Sequence, residues 1–384
     1  MRFEFATASR IIFGPGAIAQ AGSLAKEFGR TALVVTGRNA ARAGKLVNAL
    51  RAVNIRVVGS SVEGEPDLEA VRRGTALARL ENCDLVVGFG GGSALDAAKA
   101  IAAMLTNDGD VLDYLEVIGA GKVLTHSPAP CLAIPTTAGT GSEVTRNAVL
   151  TSAGHGVKVS LRSPLMLPKA ALVDPELTWD LPPALTASTG LDALTQLIEP
   201  YVSARANVMT DGLCVEGIRR AARSLRAAYE NGRNAVARED MAVASLFGGL
   251  ALANAGLGAV HGMAGVIGGM FGAPHGAICA VLLPKVMAAN LAALRSRDPA
   301  NPALPRYEEV ARLLTGRSNA LADEGVEWVS RLVSDLQIPK LGACGLRAGH
   351  IADLVKKSRN ASSMKANPII LTIEELTAIV EITI

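Results

Sequence analysis

Between Asp240 and Lys285 the chain runs for 44 residues without a Lys, Arg, Asp or Glu. A charge-free stretch of that length belongs either in a lipid bilayer or in the packed interior of a large protein. Its details favour the interior. It contains ten glycines, together with His261, His275, Asn254 and Pro274. Such polar groups are expensive in lipid, and neither edge carries the aromatic belt of a membrane interface. Glycine and alanine at this density suit helices packed closely inside a protein, so no membrane partner is expected.

The remaining composition agrees with a large buried core. At 384 residues the chain is long enough for two domains. Hydrophobic residues make up 49% but aromatics only 3%, so Ala, Val, Leu and Ile must fill the interior. The net charge of +3 is spread over interspersed acids and bases. No basic stripe of the kind that binds nucleic acid is present. Cys83, Cys131, Cys214, Cys279 and Cys344 are scattered and form no CxxC pair. They imply neither a disulfide framework nor a zinc ribbon, and read as reduced thiols. Early charge and no apolar leader near Met1 make a cytoplasmic protein the expectation.

In the first half, short apolar runs alternate with amphipathic helices. Strands are predicted at Thr31–Thr36, Ile55–Val58, Asp84–Gly88, Cys131–Pro135 and Ala171–Asp174, and helices at Ala40–Val53, Leu68–Leu80 and from Ser93 to Leu105. Such alternation implies a parallel sheet with helices on its faces. After Leu181-Pro182-Pro183 the strand signals stop, and the chain becomes Ala/Leu-rich with helical period. Proline is tolerated in a first helical turn. The expected organisation is therefore an α/β domain over residues 1–182 and an all-α domain over 183–384.

Two loops follow predicted strands. Gly90-Gly91-Gly92-Ser93 runs into a helix, where glycines allow close approach of a pyrophosphate and the helix N-terminus offers free N–H groups. Ser93 can cap that helix or donate to a phosphate oxygen. A glycine turn before a helix is as often only a turn. The second loop, Pro135–Glu143, is crowded with small hydroxyl residues and glycines, including Thr136 and Thr137. Loops at the ends of parallel strands can share one crevice, where open sheets bind ligands.

His261 and His275 both flank glycine within the charge-free stretch. Taken singly, each is more often a hydrogen-bonded core histidine than a ligand. Neutral imidazole is nonetheless a good ligand for divalent iron or zinc, and neither has a charged neighbour in its segment. Asp192 and Gln196 stand four residues apart, so a helix presents both oxygen donors on one face, with Glu199 one turn further on. The alternative is an N-terminal aspartate favoured by a helix dipole beside a solvated glutamine.

Taken in order, these motifs resemble the iron-containing, group III alcohol dehydrogenases. The similarity covers essentially the whole chain. It runs from Phe13-Gly-Pro-Gly16 through Gly90–Ser93 with Asp96 and Lys99, the Pro135–Glu143 loop, Lys158, Leu167-Pro-Lys169 and Val173-Asp-Pro-Glu176. It continues through Leu185-Thr-Ala187, Gly190–Thr195, His261-Gly-Met-Ala264 and Pro274-His-Gly276 to Asn367-Pro368. The resemblance implies a dehydroquinate synthase-like fold, with an N-terminal dinucleotide-binding domain, a helical C-terminal domain and a cleft holding cofactor and metal. It implies a homo-oligomer, a dimer or larger. It also implies hydride transfer between NAD(P) and an alcohol, aldehyde or ketone, with Fe2+ or Zn2+ as Lewis acid. By resemblance the metal ligands are Asp192, Gln196, His261 and His275. Gly91, Gly92, Ser93, Asp96, Thr136 and Thr137 face the cofactor, and Lys158 contacts nicotinamide or substrate.

Three departures stand out. Gln196 occupies a position that is histidine in the family, replacing imidazole with a neutral carbonyl oxygen, usually a weaker ligand for zinc or iron(II). Gly265 replaces a cleft histidine of many members, which removes any proton relay from that position. Finally, Gly37-Arg38-Asn39 follows the first strand where many NAD-using members carry aspartate. Losing a carboxylate and gaining a cation favours NADP over NAD. A maleylacetate reductase-like or glycerol dehydrogenase-like enzyme, and a non-catalytic nucleotide-binding protein with a decayed metal site, are the alternatives at this stage.

Overall fold

A computed structural model of the chain describes residues 2–155 and 157–384. They form two compact units. The α/β unit comprises Ala6–Thr137 and Gly141–Thr178; the helical unit comprises Trp179–Ile384, Ala138–Thr140 and the residues up to Phe5.

In the α/β unit, β1 (Ile11–Phe13), β2 (Thr31–Gly37), β3 (Arg56–Val62), β4 (Leu85–Gly90) and β5 (Cys131–Pro135) precede the hairpin β6 (Asn147–Ser152) and β7 (Val157–Arg162), and β8 (Ala170–Val173) follows. The helices are α1 (Ala21–Lys26), α2 (Gly44–Ala52), α3 (Leu68–Leu80) and α4 (Gly92–Thr106). Six strands make one parallel sheet in the order β1-β8-β5-β4-β2-β3. The apolar runs of β4 and β5 are buried throughout, as a sheet covered on both faces requires. The strand order reverses between β2 and β4, a topological switch point where the C-terminal strand ends open a crevice. Small residues hold α4 against the sheet: a Cβ on Gly88 would lie 2.9 Å from Ala98 Cβ.

One sequence expectation needs correction, and two features were missed. The helix predicted at Ala40–Val53 is divided into a 3-10 turn, Ala40–Ala43, and α2. Strand β1 was too short to leave a pattern. The antiparallel pair β6–β7 was missed, although Val157–Arg162 alternates apolar and polar residues and Asn147–Ser152 buries every second residue.

The helical unit contains α5 (Pro183–Val202), α6 (Val208–Glu230), α7 (Ala235–Ala255), α8 (Ala259–Phe271), α9 (His275–Arg297), α10 (Ala303–Thr315), α11 (Ala322–Asp335), α12 (Ile351–Arg359) and α13 (Ile373–Glu381). Helix α5 is the central element, packed against α6, α7 and α9. The charge-free stretch forms most of α7, all of α8 and the start of α9. Helices α7 and α8 meet at a bend of 101°, where Gly256 takes a left-handed φ of +73°. Helix α9 is long and apolar enough to cross a membrane, yet it is mostly buried against α5, α8 and α11.

Candidate active site

In the helical unit, Asp192, Gln196 and Glu199 project from one side of α5 and are all buried. Glycines let the neighbouring helices reach that side. A Cβ on Gly276 would lie 2.4 Å from Ser188 O, so the first turn of α9 rests directly on the α5 backbone and brings His275 beside Asp192. A Cβ on Gly258 would lie 2.7 Å from Glu199 Oε1, so α8 begins against Glu199. Asn367 fixes the same end: its Oδ1 accepts from Ala259 N (3.1 Å) and its amide donates to Asn290 Oδ1 (2.8 Å).

His261 Nε2 lies 3.4 Å, and His275 Nε2 3.9 Å, from Asp192 Oδ1. On its other side, His261 Nδ1 is 2.6 Å from Glu199 Oε2, while Glu199 Oε1 accepts from Val260 N at 2.7 Å. A carboxylate at Nδ1 favours a proton there, so a cation that displaced the second ring proton would meet Nε2, on the side of Asp192. Sequence spacing placed Glu199 near the site but did not reveal this orienting role. Cys279 was missed as well. It is fully buried, one turn after His275, and its Sγ lies 3.6 Å from His275 Nε2. The signal was there in the four-residue spacing along one helix.

Asp192 Oδ1 and Gln196 Oε1 are buried without a hydrogen-bond partner. An unpaired buried acceptor costs about 1–3 kcal/mol, more when charged, so two together mark a place that accepts a cation. The electrostatics agree. Burial alone would favour a neutral Asp192, but the neighbouring imidazoles outweigh it and hold the carboxyl below its ordinary value. Burial likewise opposes charge on His261, yet Cys279, Asp192 and Glu199 hold that ring well above its ordinary value. The cluster favours positive charge, and its nitrogen, oxygen and sulfur donors fit divalent iron or zinc.

In the α/β unit, the loop after β4 adjoins the loop after β5. Thr136 N donates to Gly90 O at 2.8 Å, and a Cβ on Gly91 would press on the Thr137 side chain at 3.3 Å. A Cβ on Gly90 would lie 2.7 Å from Ala94 Cβ, so the turn into α4 tolerates no side chain there. This cradle, ending in the free N–H groups of the first turn of α4, fits a pyrophosphate. Gly91 is the N-cap and Ser93 sits inside the helix, so of the two roles open to Ser93 capping does not apply. Gly37 ends β2, and Arg38 and Asn39 are exposed beyond it.

Asp96 and Lys158 both have partners inside the α/β unit. Asp96 accepts from Ser142 Oγ (2.5 Å) and Val149 N (3.0 Å) and pairs with buried Lys99 (3.0 Å), tying α4 to the loop after β5 and to β6. Lys158 pairs with Glu65 at 2.9 Å. Both charges are taken up by partners within the unit, which spacing along the chain could not show.

Comparison with known proteins gives this geometry a family. Residues 8–175 match the model for iron-containing alcohol dehydrogenase, and residues 186–384 match the C-terminal model of the Fe-containing alcohol dehydrogenase family. The chain belongs to the iron-containing alcohol dehydrogenases. Among this family, it is 39% identical over 377 residues to a 1,3-propanediol dehydrogenase of Klebsiella pneumoniae, with 94% of each chain covered. The crystal structure of a 1,3-propanediol oxidoreductase matches with a TM-score of 0.93 at 35% identity, over 100% of both chains. A sulfoacetaldehyde reductase from Bifidobacterium kashiwanohense, solved in complex with NAD+, matches with a TM-score of 0.87 at 29% identity, over 100% of this chain and 99% of that one. As an iron-containing alcohol dehydrogenase, the chain is an oxidoreductase that uses a nicotinamide cofactor and a divalent metal on small-molecule alcohols.

Proposed function

We propose that the chain interconverts a small primary alcohol or diol and its aldehyde, with a metal held by Asp192, His261 and His275 and NADP(H) bound at the glycine cradle. The buried, unpartnered Asp192 Oδ1 beside two imidazole nitrogens is the observation that carries this reading. The likeness to a 1,3-propanediol dehydrogenase supports the substrate class. When bound, the divalent cation supplies Lewis acidity to the substrate oxygen, and the nicotinamide gives or takes the hydride. Residues 1–182 hold the nucleotide and 183–384 the metal in this reading.

The protein's part is to bind and orient. Asp192 contributes a buried negative charge at the place where the first turn of α9 rests on α5. Glu199 fixes the His261 tautomer, and Gln196 adds a neutral oxygen on the same face. Gly91, Gly92 and Ser93 offer backbone donors to the pyrophosphate, and Thr136 and Thr137 border the same loop. Asp96 acts as a positioning residue through the loop that it anchors. Exposed Arg38, just past β2, provides the cation for a 2′-phosphate, and no carboxylate stands at Gly37-Arg38-Asn39 to repel it.

Metal analysis of purified protein, followed by NADPH and NADH consumption on a panel of short aldehydes, tests the reading. We expect about one metal per chain and turnover that is lost on chelation. His261→Ala should lose most of the metal; equal metal content in wild type and variant would remove His261 from the site. Bound nucleotide without metal or turnover, even after Fe2+ or Zn2+ is added, would favour a binding protein.

A further inference from the structure

Cys279 Sγ lies 3.6 Å from His275 Nε2 and 3.9 Å from His261 Nε2. One ligand atom each from Asp192, His261, His275 and Cys279 falls within 4.8 Å of every other. Tetrahedral zinc, with bonds of about 2.0–2.1 Å to nitrogen and 2.3 Å to sulfur, sets neighbouring ligand atoms about 3.5 Å apart. The observed His261–Asp192 and His275–Cys279 separations of 3.4 and 3.6 Å are already close to that. Cys279 is a cysteine of the apolar core of the helical unit. It faces two imidazole nitrogens, and the nearby Asp192 Oδ1 has no hydrogen-bond partner.

Charge points the same way. A dication in a buried site is costly unless it is neutralised. Among the candidate ligands themselves Asp192 supplies one negative charge and neutral Gln196 supplies none, while the Glu199 carboxylate acts from behind His261, at Nδ1. A thiolate at Cys279 supplies the second. The geometry points to Cys279 as a thiolate ligand that completes an Asp192–His261–His275–Cys279 donor set and selects zinc over iron(II). The assignment rests on the metal reading above. As the sulfur–metal bond forms, the thiol proton leaves to solvent, because only the thiolate ligates. Thiolate is softer than the carbonyl oxygen of Gln196, and soft donors favour zinc.

The test loads the full-length protein with one equivalent of Co2+ after chelator treatment and reads its absorption spectrum. Wild type should show visible ligand-field bands together with an intense thiolate-to-cobalt charge-transfer band in the near ultraviolet. Cys279→Ser should keep the ligand-field bands, lose the charge-transfer band and bind zinc tenfold or more weakly. Cys344→Ser, which alters the one partly exposed cysteine, should keep the charge-transfer band. If Cys279→Ser does not fold, X-ray absorption of the zinc-loaded wild type decides, since a sulfur neighbour at about 2.3 Å is required. Cobalt bound without a charge-transfer band, a band that survives Cys279→Ser, or zinc without a sulfur neighbour would overturn the role of Cys279 and leave the metal site intact. No cobalt binding, or equal binding by His261→Ala, would overturn both.

Discussion

Glu143 sits in the turn Ser142–Val144 with only 2% of its surface exposed, and burial pushes its carboxyl up to about 7 despite Lys99 nearby. The folded chain therefore keeps a proton that the unfolded chain releases near the usual glutamate value. The stabilisation is fully present below that value and is lost as pH rises through about 7. The full swing is about 3 kcal/mol. Denaturant midpoints of wild type and Glu143→Gln at pH 5 and pH 8 measure it: wild type should weaken relative to the variant at the higher pH, and parallel behaviour would contradict the assignment. At Arg38 the prediction concerns selectivity. Arg38→Ala should raise the Kd for NADPH about tenfold, the scale of one charge-assisted hydrogen bond, and leave NADH nearly unchanged. Unchanged selectivity would remove Arg38 from the 2′-phosphate.

Among the elements, the join between α5 and α8 sets the orientation of His261. Glu199 lies on α5 and binds both the backbone of the first turn of α8 and the outer nitrogen of His261. Loss of such an orienting carboxylate typically weakens metal binding by roughly ten- to a hundredfold. Glu199→Gln should do so while the helix content stays as in wild type, which zinc titration and circular dichroism would read together. An unchanged affinity would show that packing alone orients the ring. The spacing Asp192–Gln196–Glu199 made the α5 face legible from sequence, because helical neighbours at three and four residues are local geometry. The approach of α8 and α9 was not legible, since it depends on glycines at Gly258 and Gly276 meeting particular backbone and side-chain atoms of α5.

At the scale of the whole molecule, metal binding and stability are linked. A cation that binds only the folded chain stabilises it by about 2.7 kcal/mol when its free concentration is a hundred times Kd. Chelation should therefore lower the Tm of the transition that melts the helical unit by on the order of 5–10 °C, as followed by scanning calorimetry. Restoring Zn2+ should restore the Tm, and the same shift in His261→Ala would indicate a chelator effect unrelated to the site.

The sequence alone determined the alternation of strands and helices, the glycine-rich turn into α4, the burial of the charge-free stretch and the shared face of Asp192 and Gln196. Each of these follows from local periodicity or composition. Only the tertiary structure decided that Asp96 and Lys158 are paired within their own unit, that Glu199 orients His261, and that Cys279 joins the cluster. Apart from Asp96–Lys99 and His275–Cys279, which are neighbours on one helix, those contacts link residues far apart in the chain, and they exist because close packing leaves each buried polar atom a small, fixed set of neighbours.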